Sequence, residues 1–316
     1  MQTILGASGQ IARELARELK RSYTDDLRLV SRTPQKINVS DVTVAANLLD
    51  AEQTRKAVTG SSIVYFVAGL PADSARWEQQ FPAMLKNALD ATRMAGARFV
   101  YFDNTYMYPQ NDTLQTEETR FAPRGRKGRV RELMTNMVLE EMRRKDFPVV
   151  IGRAPEFYGP GRTQSFTNAF VINKLKTGKR PRVPVRDDKL RTLIWTPDAS
   201  RALAVLGNIQ DAFGQSWHLP CCDERLTYRQ FVSLACEVFG KDVKYIVVSK
   251  LALTVAGLFS QGAREMRELL PRYEYDNLFE SAKFKHRFPD FIVTTYREGL
   301  EETWREWRGK LSKANA

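Results

Sequence analysis

The sequence predicts an α/β protein, a doubly wound parallel sheet followed by a smaller C-terminal lobe, on three observations. Strand-length apolar runs alternate with helix-period segments from Gln2 to about Ile151, and such alternation folds as a parallel sheet covered by helices on both faces. A Gly6-x-x-Gly9-x-x-Ala12 turn joins the first strand to the first helix. After Arg153 the rhythm breaks into a stretch rich in Gly, Pro and Arg that reaches Pro197. The expected division is therefore a first domain over 1–155, with return segments near 190–220, and a lobe over 156–316.

Each element has its own warrant. Gln2 to Leu5 is a short apolar strand. Ile11, Leu15 and Leu19 then recur every four residues beside Ala12 and Ala16, with Arg13, Glu14, Arg17 and Lys20 on other faces, the pattern of a helix laid on a sheet. Leu27 to Ser31 is the second strand, and Asp50 with Gln53 is a capping pair for a helix through Val58. Ile63 to Gly69 reads as a buried strand ended by glycine. A helix from Ser74 to Met94, a strand from Phe99 to Phe102, a helix from about Lys127 to Lys145 and a strand from Val149 to Ile151 complete the alternation. Beyond it, Thr227 with Gln230 and Thr295 with Glu298 have capping-box spacing, and each opens a helix. The last helix turns Tyr296, Leu300, Trp304 and Trp307 toward the core.

Composition excludes several classes. With 316 residues, 43% of them hydrophobic and 27% charged, the chain buries a sizeable core and is neither disordered nor collagen-like. No apolar window of about 18 residues occurs and Met1 leads straight into a strand, so neither a membrane span nor a secretory leader is expected. Cys221, Cys222 and Cys236 are odd in number and give no disulfide framework, which fits a cytoplasmic setting. His218 and His286 stand far apart without a C-x-x-C companion, so no metal site is expected. The net charge of +12 favours an anionic partner. No helix-turn-helix, zinc or aromatic single-strand signature accompanies that charge, so the expected partner is a small molecule rather than a nucleic acid.

The glycine turn carries the first chemistry. Gly6 allows a sharp turn, Gly9 lets the backbone approach a pyrophosphate and Ala12 lets helix close on strand, while the helix start around Ser8, Gln10 and Ile11 offers N–H groups to the anion. In this strand–turn–helix context the motif predicts a dinucleotide in a Rossmann-type sheet. NAD enzymes place a carboxylate on the ribose 2′-OH at the end of the second strand. Here Ser31 and Arg32 stand there instead. Nothing repels a 2′-phosphate, and a guanidinium pairs with it in a fork, so NADP(H) is expected ahead of NAD(H), which stays possible.

With these residues the chain resembles the extended and atypical short-chain dehydrogenase/reductases, specifically the NAD-dependent epimerase/dehydratase family, from Gly6 to about Trp307. Gly6 to Ala12 resembles the family's glycine turn, and Phe66-Val67-Ala68-Gly69 the strand-end segment that lines the cofactor. Arg153-Ala154-Pro155-Glu156-Phe157-Tyr158-Gly159-Pro160-Gly161 resembles its Arg-x-x-x-x-Tyr-Gly-Pro-Gly segment, and Trp195 to Ala202 a later segment built around an Asp and a helix start. The resemblance implies a C-terminal substrate lobe, an oxidoreductase or epimerase activity, and cofactor contacts at Val67, Ala68 and Pro155. It also implies a homodimer formed through two flanking helices.

The family's chemistry runs through Tyr-x-x-x-Lys, with a Ser or Thr at the end of the fifth strand, and no Tyr-x-x-x-Lys occurs in this chain. Aligning the helix by Glu132, Leu133 and Leu139 puts Lys127 in the Tyr place and Arg131 in the Lys place, with Asn104 in the hydroxyl slot and Thr105 beside it. The catalytic candidates are therefore Asn104, Thr105, Lys127 and Arg131, and Lys127 is also a cofactor contact. Two readings stay open. In one, Lys127 is the proton donor beside the fixed charge of Arg131 and Asn104 holds the substrate oxygen, or else Tyr106 or Tyr108 supplies the phenol. In the other, the basic pair only cradles an anion, and the protein is a catalytically silent NADP(H)-binding regulator or scaffold. One turn apart on a helix, residues 127 and 131 point inward, leaving Arg124, Arg126 and Arg129 at the rim. Lys179, Arg180, Arg182, Arg186 and Arg191 either extend the positive site toward an anionic substrate or are solvated surface.

Overall fold

The computed structural model describes residues 1–161, 163 and 165–314. β1, Gln2–Leu5, is buried at every position. The chain turns at Gly6 into α1, Gln10–Ser22, whose Ala12, Leu15, Ala16 and Leu19 form the buried stripe that four-residue spacing dictates. β2 is Leu27–Ser31 and β3 is Val42–Ala45. The sequence reading has no strand at β3, whose ends are exposed and whose middle is only half-buried, so its apolar signal is weak. α2, Ala51–Val58, opens as expected on Asp50, whose Oδ1 accepts the Gln53 N–H at 2.9 Å.

β4, Ile63–Phe66, ends before the expected Gly69: the Val67 N–H still reaches the Leu5 carbonyl at 3.0 Å, and then the chain leaves the sheet. α3, Ser74–Met94, has the expected bounds and is capped by Asp73. β5, Arg98–Asn104, runs two residues past Phe102, and α4, Gly125–Arg143, begins and ends two residues early. β6 is Val149–Ala154.

The later chain consists of short elements. They are β7 (Glu156–Tyr158), a π-helical turn at Asn168–Ile172, α5 (Asn173–Lys176), β8 (Arg182–Pro184), β9 (Leu190–Arg191) and β10 (Leu193–Trp195). α6 (Thr196–Asn208), β11 (Ser216–His218), β12 (Leu226–Thr227), α7 (Tyr228–Val238) and β13 (Ile246–Val248) follow. α8 (Lys250–Phe259), α9 (Gln261–Arg267), α10 (Ala282–Arg287) and α11 (Tyr296–Ala314) end the chain. Both expected capping boxes form: Thr227 with Gln230 opens α7, and Thr295 with Glu298 opens α11.

The central sheet has seven strands in the order β11-β6-β5-β4-β1-β2-β3, parallel throughout. One face carries α2, α3 and α4 on Phe66, Phe99, Tyr101 and Ile151. On the other face, α6 reaches the sheet at two bare positions. The Tyr65 ring lies against Gly207, and a Cβ at Gly152 would meet the Leu203 side chain at 2.7 Å. Helices on both faces of a parallel sheet make the Rossmann-type, doubly wound fold.

The chain divides into two compact units: Met1–Met107, Arg126–Ala154 and Ala199–Leu219 form the first, and Tyr108–Gly125, Pro155–Asp198 and Pro220–Ala316 the second. The second has its own aromatic core, with Tyr158 edge-on to Phe231 at 5.6 Å and Trp304 stacked on Phe239 at 4.6 Å. Cys221, Cys222 and Cys236 are free thiols. Among the described residues no helix is long and apolar enough to cross a membrane, and no cluster of His, Cys, Asp or Glu could hold a metal.

Within the second unit, Lys176 on α5 is buried beside Glu306 of α11, and desolvation pushes its ammonium down to about 8 while Glu306 opposes the shift. A folded-state value below the unfolded one penalises the charged form, in full below pH 8 and less as pH rises from there toward its ordinary value. Lys176→Met is expected to raise stability by about 1–3 kcal/mol at pH 7. Denaturant midpoints for parent and variant should converge as pH rises through that window.

Candidate functional site

At the end of β1 the backbone leaves little choice of residue. Gly6 has φ +94°, and a Cβ there would lie 2.5 Å from the Ala68 Cα. This close approach sets Val67 and Ala68 directly against the turn, Val67 buried and Ala68 half-buried. The Gly6 and Ala7 N–H groups bond the Val30 carbonyl at 2.9 and 3.0 Å, which ties the turn to β2. Gly9 is the N-cap of α1, no side chain caps the helix and no acid lies in its first turn. The Gln10 side chain donates to Glu14 at 2.9 Å, so what Gln10 and Ile11 offer an anion is their backbone N–H groups. An uncapped helix start beneath a glycine turn fits a dinucleotide pyrophosphate. Ser8 Oγ donates to Ser31 Oγ at 3.0 Å, bringing the turn to the end of β2, where the Arg32 side chain is exposed.

The second cluster gathers where β5 ends against α4. Lys127, Arg131 and Thr135 recur every four residues on α4 and are all buried, as the inward orientation requires, while Arg124, Arg126 and Arg129 are exposed. Lys127 is 1% exposed, and its Nζ donates to Ser74 Oγ at 2.7 Å, at the start of α3. The Arg131 guanidinium lies over the Trp77 ring at 5.1 Å and the Phe81 ring at 4.6 Å. These two aromatic faces stabilise a desolvated cation. Asn104 ends β5 with Oδ1 accepting the Tyr106 N–H at 3.0 Å, which leaves its amide N–H₂ as a donor, and Thr105 is buried.

Beneath this stripe, Asp103 Oδ2 accepts from Arg153 Nε at 3.0 Å and lies 2.9 Å from the Thr135 hydroxyl. Tyr101 stands beside it. Burial, reinforced by the Asp103 carboxylate, pushes the Tyr101 phenol well up, against the pull of Arg131 and Arg153, and holds it protonated.

Ser74, Trp77, Tyr101, Asp103 and Thr135 are site residues absent from the sequence reading. Thr135 continues the 127/131 spacing, and that periodicity is a usable signal. Ser74 and Trp77 come from α3, and nothing local announces them. Tyr106 stacks on Trp77 at 6.1 Å. Tyr108 belongs to the second unit, where it is buried and its hydroxyl donates to the Thr116 carbonyl at 3.1 Å.

Pro155, the remaining expected contact, is buried at the start of a segment of the second unit. Arg191 is buried and pairs with Glu156 of β7, its guanidinium also donating to the Arg272 carbonyl at 2.9 Å. Its charge is spent inside the unit. Arg186 pairs with Asp188 at 2.5 Å, and Lys179, Arg180 and Arg182 are exposed. A cavity of about 380 Å³ is lined by Cys221, Cys222, Asp223, Lys285 and Phe288 among others. Burial pushes both thiols up, which keeps them protonated and unsuited to nucleophilic work.

A family model for the NAD dependent epimerase/dehydratase family matches residues 3–215. No curated protein sequence matches. Among solved structures, MoeE5 in complex with UDP-glucose and NAD is similar at a TM-score of 0.78 and 20% identity, covering 98% of this chain and 99% of that one. UDP-glucuronic acid 4-epimerase from Bacillus cereus in complex with NAD has a TM-score of 0.78 at 14% identity, with 98% and 99% covered. The dTDP-glucose 4,6-dehydratase DesIV from Streptomyces venezuelae, with NAD bound, has 0.78 at 17%, with 99% and 98% covered. At these identities the likeness shows the fold.

Proposed function

Because the chain belongs to the NAD-dependent epimerase/dehydratase family, we propose that it binds NADP(H) and acts as an oxidoreductase or epimerase on an anionic small molecule, with Lys127 replacing the missing phenol. The observation that carries this reading is the buried stripe of Lys127, Arg131 and Thr135 beside the end of β5. The cofactor, when bound, supplies a ring carbon that gives or takes a hydride. The N–H groups from Ser8 to Ile11 would hold its pyrophosphate, and Arg32 with Ser31 would receive the 2′-phosphate. Lys127 Nζ, held by Ser74, gives its proton to the substrate oxygen on reduction and takes it back on oxidation. The Asn104 amide N–H₂ binds the same oxygen. The Arg131 guanidinium attracts an anionic group on the substrate. The nucleotide sugar and the NAD in the similar structures support a substrate and cofactor of this size and chemistry.

A second reading follows from one observation: Lys127 is almost wholly buried with its ammonium already seated on Ser74, which suits a silent cofactor-binding regulator. Turnover separates the two. With NADPH and a panel of carbonyl and nucleotide-sugar substrates, the parent turns over, and Lys127→Met loses about a hundredfold or more of kcat while calorimetry shows cofactor still bound. Tight binding without turnover on any substrate gives the regulator. In the same calorimetry, Arg32→Ala is expected to weaken NADPH by about 10- to 100-fold and leave NADH unchanged. Equal affinities of the parent for the two cofactors end the NADP(H) preference.

A further inference from the structure

α8 reverses the usual polarity of a surface helix. Its inward face is set by Gly257, which is buried where α9 crosses: a Cβ there would lie 2.9 Å from Arg267 Cδ and 3.4 Å from the Arg264 backbone. The opposite face carries Leu251, Val255 and Leu258 at spacings of four and three, with Phe259 adjoining. These side chains are 74%, 47%, 63% and 86% exposed. Ile246 and Val247 of β13, just before the helix, are exposed as well. Solvated apolar side chains scattered singly need no explanation, but a contiguous stripe of this kind marks an interaction surface.

The charge around the stripe identifies the partner. From Val243 to Arg264 the chain contains no Asp or Glu. Lys244, Arg264 and Arg267 are exposed around the hairpin, whereas Glu265 of α9 is half-buried. Lys250 is committed to Glu274 at 2.5 Å, so the basic rim rests on the other three. A surface at once apolar and cationic is complementary to one that offers acyl chains beneath anionic headgroups. A second copy of this chain is a poor match, since each copy carries a net +12 and would bring basic rim to basic rim. A ten-residue helix is about 15 Å long, half of the roughly 30 Å hydrocarbon core, so α8 lies along the interface and does not span it.

We infer that the α8–α9 hairpin is a peripheral membrane-docking element, which seats Leu251, Val255, Leu258 and Phe259 at the headgroup boundary of an anionic phospholipid surface. The test is flotation of the full chain with vesicles of phosphatidylcholine alone and with a third phosphatidylserine. The protein floats with the anionic vesicles at low salt and much less at about 0.5 M NaCl, where screening is short-ranged. Leu258→Ser/Phe259→Ser lowers the bound fraction by about tenfold or more, and Arg264→Glu/Arg267→Glu lowers it on anionic vesicles. Circular dichroism and NADPH binding of both variants stay as in the parent. No flotation of the parent overturns the inference, as does equal flotation of Leu258→Ser/Phe259→Ser. Equal binding to both vesicle types overturns the anionic assignment. A parent that sediments as a dimer, dissociates with Leu258→Ser/Phe259→Ser and ignores vesicles makes the stripe a self-association surface instead.

Discussion

Gly6→Val should abolish binding of the proposed dinucleotide and lower stability by about 2–5 kcal/mol. Two effects combine at this position. The residue sits at φ +94°, in the left-handed region that a β-branched side chain all but never enters. Its new Cβ would also stand 2.5 Å from the Ala68 Cα and 2.7 Å from the Ala68 nitrogen. Both are backbone atoms of the segment leaving β4 and cannot yield as a flexible side chain does. Relief requires moving the turn away from β4, and that displaces the N–H groups proposed to hold the pyrophosphate. Losing two charge-assisted hydrogen bonds costs about a hundredfold or more in affinity. Gly9→Ala is the control: Gly9 has φ −82°, and a Cβ there meets only the Gly6 carbonyl oxygen, at 3.7 Å. It should fold as the parent does and lose affinity only through the methyl facing the anion. Calorimetry with NADPH and a denaturation curve for each variant check this; parental binding by Gly6→Val would refute the dinucleotide turn.

The same position shows why so much of the first unit is legible in the sequence. A glycine between an apolar strand and a four-residue stripe is a local pattern, and so are the Asp50, Thr227 and Thr295 caps, so each can be read without knowing what packs against it. β3 escapes because its side chains are largely exposed, and β11 because three residues, Ser216–His218, become a strand only by pairing with β6. The candidate site divides along the same line. Lys127, Arg131 and Asn104 are found because the family resemblance aligns them, in one helix and one strand, with the places of its motif residues. Ser74 is 53 residues from Lys127 in sequence, so the hydrogen bond that seats the ammonium has no local trace. Arg191 is the opposite failure: the basic residues of the later chain read either as an extension of the positive site or as solvated surface, yet Arg191 is buried on Glu156, 35 positions away, inside the second unit. Charge counted along a chain is not charge presented in space.

Asp103→Ala should be the most damaging substitution below the candidate site. Arg153 and Asp103 are both essentially buried, and their ion pair, 3.0 Å from Nε to Oδ2, crosses directly between paired residues of β5 and β6. Removing the carboxylate leaves a guanidinium in a low-dielectric interior without its ionic partner, a change that costs about 3–5 kcal/mol. The Thr135 hydroxyl loses its acceptor on Asp103 and keeps the Arg131 carbonyl at 2.9 Å. The expense lies in breaking the pair more than in lacking it. Asp103→Leu/Arg153→Met, which removes both charges at similar volume, should therefore recover most of the loss. Denaturant midpoints of the parent, of Asp103→Leu and Arg153→Met singly, and of the double variant close a double-mutant cycle, and the coupling should be large and favourable. Additive single losses would show that the pair contributes nothing. Because Asp103 directly precedes Asn104 and Thr105 at the end of β5, Asp103→Ala should also lower turnover by more than the unfolded fraction explains. The double variant tests that link: restored stability without restored turnover would mean that the pair positions Asn104, and is more than an anchor between strands.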